Sequence, residues 1–241
     1  MSSYYRSILN VQGSAFASTN SFEFDGSTDY VDLSSSTNLN FSGDFTLMAW
    51  VKVDSIGSNY YIIDTSSSAT LGNGYSFRVL TSGKVRFWSY DVNHNLIDSA
   101  TTLSANTWYH IAVVHNSTQN KIYINGSLDA TQNWTQSHAQ SNTSRLRIGS
   151  SDLLGGTMSG FIDEVGFFND DQSANISTIY GTGIPNDLSL YSPISWYRMG
   201  EAANYSGGQW TLTDQGSGGN DGTSLNIPAP PTQPSTDVPT R

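Results

Sequence analysis

Short segments that alternate apolar and polar residues, separated by turn residues, recur along most of the chain and restrict its fold more than any other feature. One face of the segment DFTLMAWVKV carries Phe45, Leu47, Ala49, Val51 and Val53. That period of two is the period of a β-strand. The turns between such segments are marked by the dipeptides Asp25-Gly26, Ser82-Gly83 and Asn125-Gly126. Repeated strands at a spacing of about 8–12 residues predict an all-β fold, either a sandwich or a jelly roll.

A single short helix is predicted at the end of this strand-rich region. In the segment NDDQSANISTIYGTG, Asp170 or Asp171 is suited to cap the first turn, and Gly181 is suited to end the helix after Tyr180. The chain has 241 residues, which is long enough for one large β domain with a sizeable core.

The charge and composition of the chain exclude several classes of partner. The formal net charge is −10, whereas nucleic acids and anionic membranes require basic surfaces. We therefore expect neither nucleic acid nor membrane as a partner. The N-terminal residues lack the apolar stretch of a secretory signal, and no segment approaches the roughly 20 apolar residues of a membrane span. The chain has no Cys, which excludes disulfides and thiolate metal sites.

Six segments carry a resemblance to a known family. In chain order they are FEFDGSTDYVDL, GDFTLMAWVKV, NTWYHIAVVH, NKIYINGSL, SRLRIGSS and GFIDEVGFF. Together they resemble the laminin-G-like branch of the concanavalin-A-like lectin/glucanase superfamily, over roughly residues 21–170. The resemblance implies a jelly-roll sandwich of two antiparallel sheets, one of them curved, with one short helix after the last of these strands.

A later segment, SWYRMGEAANYSGGQWTLTDQGSGGNDGT, resembles the part that usually opens such a domain. We interpret its late position as a circular permutation, in which residues 193–226 complete one sandwich that spans residues 21–226. Residues 1–20 are then an N-terminal arm, and residues 227–241 are an extended, Pro-rich tail. The alternative is a truncated second domain, although about forty residues are too few to bury a core of their own.

The sandwich combined with WYRMG, a DQ…NDGT run and a short Pro-rich tail resembles virion structural proteins of tailed phages, especially marine ones. This resemblance implies a capsid-decoration, head-fibre or tail-associated subunit that is made in the host cytoplasm and located in the virion. Its partners would be other virion proteins and further copies of itself, bound through the arm and the tail. The residues expected to dock on these partners are Met1, Tyr4, Tyr5, Pro228, Pro230 and Pro231.

Asp163 and Glu164 are adjacent carboxylates within the apolar segment GFIDEVGFF. Consecutive residues of a strand point to opposite faces, whereas a retaining glycosidase needs two carboxyl groups about 5–5.5 Å apart on one cleft. The chain also lacks the E-x-D-x-E pattern of the superfamily's glucanases. We therefore expect no enzymatic activity.

The resemblance implies a different role for Asp163, because laminin-G-like domains often bind one Ca²⁺ at a sandwich edge through Asp, Asn and backbone oxygens. Asp163 matches the family strand, and Asp214 and Asn220 match the opening segment that usually lies beside it. These three residues are the candidate calcium ligands, and no organic cofactor is expected. The alternative is that the same polar groups hydrogen-bond loop backbone.

A glycan site is expected on the concave sheet, where aromatic rings stack on sugars and polar groups bind their hydroxyls. The candidate aromatic residues are Trp88, Tyr90, Trp134, Tyr60 and Tyr61, each with core packing as the alternative. The sequence thus predicts a non-enzymatic, lectin-like virion protein with a host surface glycan as a candidate ligand. The alternatives are a carbohydrate-binding adhesion module of a bacterial surface protein and a glycanase.

Overall fold

Two antiparallel β-sheets and one short helix form the protein, as the sequence predicts. The structure is a computed structural model that describes residues 16–33, 36–65, 74–90, 95–134, 146–151 and 155–240. Within these residues, no helix has the length and apolar character that a membrane span needs. Strands are numbered in chain order.

The first sheet has seven strands within the described residues. In spatial order they are β1 (Phe22–Asp25), β12 (Ser159–Phe168), β3 (Phe45–Val53), β8 (Tyr109–His115), β9 (Gln119–Ile124) and β10 (Ser127–Asn133). The seventh strand, β13 (Ser195–Tyr197), pairs with the second half of β12 on the side of β1.

The second sheet has nine strands within the described residues. In spatial order they are β14 (Ala203–Ser206), β15 (Gln209–Leu212), β16 (Gly222–Leu225), β2 (Tyr30–Asp32), β11 (Arg147–Ile148), β4 (Tyr60–Asp64), β5 (Gly74–Val79), β6 (Lys84–Tyr90) and β7 (Asn95–Thr102). All of the strand pairs that the structure describes in both sheets are antiparallel.

The core lies between the two sheets and follows the alternation of the strands. In β3, Leu47, Ala49 and Val51 join the core between the sheets. The intervening Met48 belongs to a second buried cluster on the outer face of the seven-stranded sheet. That cluster also includes Ile176, Ile179, Leu188 and Trp196. The two clusters explain why β3 is almost completely buried although its residues alternate between faces.

The helix α1 (Ile176–Tyr180) begins later than predicted. Asp170 and Asp171 do not cap it, because Asn175 precedes the first helical residue and makes no side-chain capping bond. The Asp171 carboxylate instead accepts hydrogen bonds from Asn116 Nδ2 and the Ser173 N–H, so it holds the preceding turn. Gly181 follows the helix with φ of 58°, in the left-handed region that favours glycine.

Residues after position 193 contribute strands to both sheets. Strand β13 pairs with β12, and β16 pairs with β2 and leads through β15 to β14. Tyr197 is fully buried and its ring packs edge-to-face on Phe167 at a centroid distance of 6.1 Å. These residues are therefore part of the same hydrophobic core. The circular permutation itself stays a prediction.

The Pro-rich tail does not extend away from the domain, which differs from the expectation based on its composition. Ile227 and Gln233 are buried, and Ser235 pairs with Ser21 through two backbone hydrogen bonds of 2.9 Å. Asp237 forms an ion pair with Lys52 and accepts a hydrogen bond of 2.9 Å from Trp108 Nε1. The tail is thus held by its own chain, because Gln233 accepts a hydrogen bond from the Glu23 N–H of β1 and Asp237 binds Lys52 of β3 and Trp108 just before β8.

Candidate functional site

The outer face of the nine-stranded sheet carries polar, charged and aromatic side chains instead of the apolar ones that fill the core. In β5, Phe77 and Val79 point into the core. The intervening Ser76 and Arg78 therefore lie on the outer face, because side chains alternate along a strand. The same alternation places Trp88 on that face, since its neighbour Phe87 is in the core.

Strand register arranges these outer side chains in two cross-strand rows. The first row consists of directly paired residues on neighbouring strands: Thr223, Asp32, Arg147, Asp64, Ser76 and Trp88. The second row consists of Tyr61, Arg78, Arg86 and Asp98. Directly paired side chains are about 4.5–5.5 Å apart at Cβ. The rows therefore form one continuous layer of donors, acceptors and aromatic rings, in which Tyr61, Asp64, Ser76 and Arg78 are buried.

Arg78 lies between two aromatic rings on this surface. Its guanidinium carbon is 5.0 Å from the centroid of the Tyr61 ring and 5.1 Å from the centroid of the Trp88 ring. Its Nη1 donates a hydrogen bond to the Tyr61 hydroxyl. Burial raises the pKa of Tyr61, and the charge of Arg78 opposes that rise. The three side chains thus form a compact cation–π group, which we call the Arg78 cluster.

Two further arginines on this face are engaged in different ways. Arg86 binds Asp98 through two hydrogen bonds, from Nε at 2.6 Å and from Nη2 at 2.8 Å. Arg147 stacks over the Tyr30 ring at 4.2 Å. The chain has only 10 Lys and Arg residues and a net charge of −10. This face carries three of these cations, and the three aspartates Asp32, Asp64 and Asp98 lie in the same rows.

Two adjoining clefts open at one end of the sandwich, next to this face. The first has a volume of about 560 Å³ and is lined by Asp25, Gly26, Gly57, Ser58, Asn59, Tyr60, Thr81, Gly155, Gly156, Thr157 and Ser159. The second, of about 590 Å³, is lined by Gly26, Ser27, Thr28, Tyr30, Ser150, Ser151, Gly155, Thr157 and Asn226. Tyr30 belongs both to the second cleft and to the sheet face, so the clefts and the face are contiguous.

The aromatic residues that the sequence singled out do not gather in one place. Trp88 and Tyr61 lie in the Arg78 cluster. Tyr60 packs in the core, and its hydroxyl reaches Ser55 Oγ at 2.7 Å beside the first cleft. Trp134 is buried at the end of β10 against His115, which agrees with the packing alternative. The side chain of Tyr90 lies outside the described residues.

Sequence reasoning missed Arg78, Arg147 and Tyr30 as parts of the surface. The signal for Arg78 was present, because YSFRV places one arginine among residues that alternate into a core. No local signal identifies Arg147 and Tyr30, since their contact depends on the pairing of β11 with β2.

Asp163 and Glu164 lie in a buried cluster on the seven-stranded sheet together with Glu201. One carboxylate oxygen from each of the three residues lies within 4.8 Å of the others. The prediction that Asp163 and Glu164 point to opposite faces is wrong. A β-bulge between Asp163 and Gly166 inserts one extra residue relative to β3, and Glu164 adopts φ of 48°. The bulge turns both carboxylates toward the same place.

Arg198 and backbone groups bind this carboxylate cluster. Arg198 lies 3.3 Å from Glu164 and 3.6 Å from Glu201. Trp196 Nε1 donates to Glu164 Oε2 at 2.6 Å. Asp163 accepts hydrogen bonds from Ser18 Oγ at 2.6 Å and from the Glu164 N–H at 2.8 Å. The cluster is therefore closed, because Asp163 and Glu164 are 0% and 2% exposed.

Burial dominates the acid–base behaviour of the carboxylate cluster. It raises the pKa of Asp163 well above its ordinary value, and the neighbouring Glu164 charge adds to that rise. Burial also raises the pKa of Glu164 to about 7, against the opposing effect of Arg198. A protonated carboxyl group is thus favoured in this cluster near pH 7. This is expected because Asp163, Glu164 and Glu201 share the single positive charge of Arg198.

The predicted calcium ligands are split between two places. Asp214 is not part of the carboxylate cluster around Asp163. Its carboxylate accepts hydrogen bonds from Ser195 Oγ and from the N–H groups of Trp196, Gly216 and Asn220, at 2.8–2.9 Å. Asp214 and Asn220 thus hold the loop before β16, the role that the alternative reading gave them. Arg198 already supplies positive charge beside Glu164 and Glu201. The described residues therefore do not assemble the expected calcium ligand set, and calcium binding stays a prediction.

The predicted docking residues fall in two groups. Met1, Tyr4 and Tyr5 lie outside the described residues. Pro228, Pro230 and Pro231 are exposed on the tail, although the tail packs on its own domain. The end of the arm, residues 16–20, covers the carboxylate cluster. The Phe16 ring packs at a tilt against Trp196, with 5.9 Å between the ring centroids, and the Asn20 N–H donates to Glu201 at 3.1 Å.

The chain belongs to the Laminin_G_3 family of the concanavalin A-like lectin/glucanases superfamily, because the model of that family matches residues 25–175. The match begins at Asp25, the last residue of β1, and ends at the residue before α1. It therefore includes strands of both sheets but omits most of β1 and all of β13–β16. No curated protein sequence matches the chain.

Solved structures with this fold include several proteins of low sequence identity. A "putative carbohydrate binding protein" from Bacteroides ovatus ATCC 8483 is 19% identical and has a TM-score of 0.70; the match covers 94% of this chain and 62% of that one. The CBM40 of the Ruminococcus gnavus IT-sialidase, bound to α2,3 sialyllactose, is 16% identical with a TM-score of 0.56, and covers 67% of this chain and 97% of that one. A SAP-like pentraxin from Limulus polyphemus is 16% identical with a TM-score of 0.50, over 69% of this chain and 84% of that one. At these identities the similarity concerns the fold.

Proposed function

We propose that this protein is a non-catalytic, lectin-like module that binds carbohydrate on the outer face of the nine-stranded sheet. The observation that carries the proposal is the pair of cross-strand rows on that face, with the Arg78 cluster at their meeting point. A sheet that served only to cover the core would need polar side chains there, but no rings stacked on a guanidinium.

The chemistry of this face suits sugars. An aromatic ring binds the C–H face of a pyranose, and Asp, Arg, Ser and Thr side chains bind its hydroxyls. Trp88 is partly exposed and lies directly opposite Ser76 in the first row, with Arg78 beside it. A sugar on Trp88 would therefore have hydrogen-bonding groups on both sides.

Two of the structural neighbours support this proposal by their descriptions, one as a carbohydrate-binding protein and one as a module bound to sialyllactose. The buried carboxylates add to the non-catalytic part of the proposal. Asp163 and Glu164 lie on the other sheet, away from the proposed glycan face, and Ser18, Trp196 and Arg198 already bind their carboxylates.

A glycan array with the purified protein tests the proposal. Trp88→Ala should abolish binding to every glycan that the wild type binds. Leu128 is exposed on the other sheet, so Leu128→Ala should leave glycan binding unchanged. Thermal melts of both variants check that they are folded. Binding that survives Trp88→Ala would place the site elsewhere, and polysaccharide turnover by the wild type would contradict the non-catalytic role.

We propose a tailed-phage virion as the setting for this module, as the sequence resemblance implies. The exposed prolines of the tail support the proposal, because they offer a rigid surface to a neighbouring subunit while the rest of the tail stays packed. Mass spectrometry of purified virions tests it. Recovery of the protein only from bacterial cell surfaces would instead favour the alternative of a bacterial adhesion module.

A further inference from the structure

Arg78 is a buried cation that forms no ion pair with any residue the structure describes. Its residue surface is 6% exposed. Among the residues that the structure describes, ion pairs are made by Lys52, Arg86 and Arg198, but none is made by Arg78. Its Nε is buried and has no hydrogen-bond partner in the described part of the chain. An unpaired buried charge is costly to a fold, so its presence in the Arg78 cluster requires an explanation.

No described residue forms an ion pair with Arg78, although the buried Asp64 carboxylate lies opposite Ser76 on the neighbouring strand β4. Arg86 lies directly opposite on β6 and has the same charge, and it is committed to Asp98 through two hydrogen bonds. Tyr61 accepts the hydrogen bond from Nη1 and is a neutral group. The Nε–Nη2 edge of the guanidinium therefore makes no hydrogen bond to a described residue. That edge is one that binds a carboxylate through two parallel hydrogen bonds.

A second buried polar group lies on the same strand face. Ser76 is fully buried, and its Oγ makes no hydrogen bond to a residue that the structure describes. Ser76 precedes Arg78 by two residues, so the two side chains stand side by side on β5. Trp88 pairs directly with Ser76 and is partly exposed. An aromatic ring, a hydroxyl and the edge of a guanidinium thus lie next to one another on β5 and β6.

We propose that this site takes a sugar that bears a carboxylate, such as a uronic acid or a sialic acid. The sugar ring stacks on Trp88, its carboxylate binds the Nε–Nη2 edge of Arg78, and one of its hydroxyls binds Ser76 Oγ. The inference rests on the proposed function, because it names the class of glycan that the proposed face selects.

Binding measured by calorimetry on matched pairs of ligands tests this selectivity. One pair is sialyllactose and lactose, and the other is an oligogalacturonate and its fully methyl-esterified form. The wild type should bind one acidic member at least about tenfold more tightly than its neutral counterpart, because a charge-assisted bidentate contact is lost. Which pair shows the difference distinguishes sialic acid from uronic acid.

Arg78→Met removes the charge and keeps most of the side-chain volume. In this variant the acidic and the neutral ligand should bind with about equal affinity, because the affinity for the acidic ligand falls while that for the neutral ligand changes little. Lys121→Met, on the other sheet, is the matched control and should retain the preference. Because Arg78→Met can fail to fold, the two affinities are also measured in the wild type at increasing salt concentration. Salt should weaken the binding of the acidic ligand only.

The outcomes separate the two proposals. Binding of neutral and acidic partners with equal affinity would overturn the acidic-sugar inference and leave carbohydrate binding intact. A preference that survives in Arg78→Met would also overturn it. If the protein bound none of these four ligands and no glycan on the array, the proposed function itself would be overturned.

Discussion

Glu164→Gln tests the idea that the carboxylate cluster is held partly protonated inside the fold. Glutamine has nearly the shape of glutamic acid and keeps an oxygen for the hydrogen bond from Trp196 Nε1, but it cannot titrate. Glu164 is 2% exposed, so solvent screens its charge only weakly. The substitution therefore isolates the free energy that links this one proton to folding.

The magnitude follows from the pKa. Burial, opposed by Arg198, raises the pKa of Glu164 from its ordinary value of 4.5 to about 7. The folded state therefore binds a proton more tightly than the unfolded state does. The resulting stabilisation is fully present below pH about 4.5 and is lost as the pH rises to about 7. A shift of that size corresponds to about 3 kcal/mol of unfolding free energy.

Urea unfolding of the wild type and of Glu164→Gln, at intervals between pH 4.5 and pH 8, measures the effect. The variant should become more stable relative to the wild type as the pH rises, by about 3 kcal/mol across the range, or about 1 M in urea midpoint. Asp163→Asn should change in the same direction, because burial raises that pKa too. A difference between variant and wild type that does not vary with pH would refute the reasoning. Only the difference is informative, since buried His110 titrates in the opposite sense.

Three further predictions concern the fold. His110 is buried, and burial lowers its pKa from 6.5 to about 4. The stabilisation linked to its neutral form is present above pH 6.5 and is lost as the pH falls to about 4. In urea unfolding, the free energy of unfolding of His110→Phe should therefore rise by about 3 kcal/mol relative to that of the wild type between pH 6.5 and pH 4. Gly160→Ala should lower the melting temperature strongly, because Gly160 has φ of 124° and a Cβ there would lie 2.1 Å from the Lys52 carbonyl oxygen; an unchanged melting temperature would contradict the pairing of β12 with β3. Deletion from Pro193 onward should give insoluble protein, because it uncovers Phe167 and the edge of β2; a soluble, cooperatively melting product would show that β13–β16 are dispensable.

The sequence by itself determined the strands, the turns between them and the two-sheet class. Each of these depends on residues close together in the chain. The alternation of Phe45, Leu47, Ala49 and Val51 fixes one face of β3, and Asn125-Gly126 fixes the turn between β9 and β10. Such patterns are readable because the period of a strand and the φ demands of a turn are local properties.

Tertiary structure alone decided where the polar groups meet. The bulge at Glu164 arises from the way β12 pairs with β3, and it cancels the rule that neighbouring residues of a strand face opposite ways. The cluster then acquires Ser18 and Glu201 from distant parts of the chain. Likewise, Arg78 meets Tyr61 and Trp88 only because β4, β5 and β6 pair in one register. The physical reason is that a register shift of one residue redirects a side chain without changing the local pattern of the sequence.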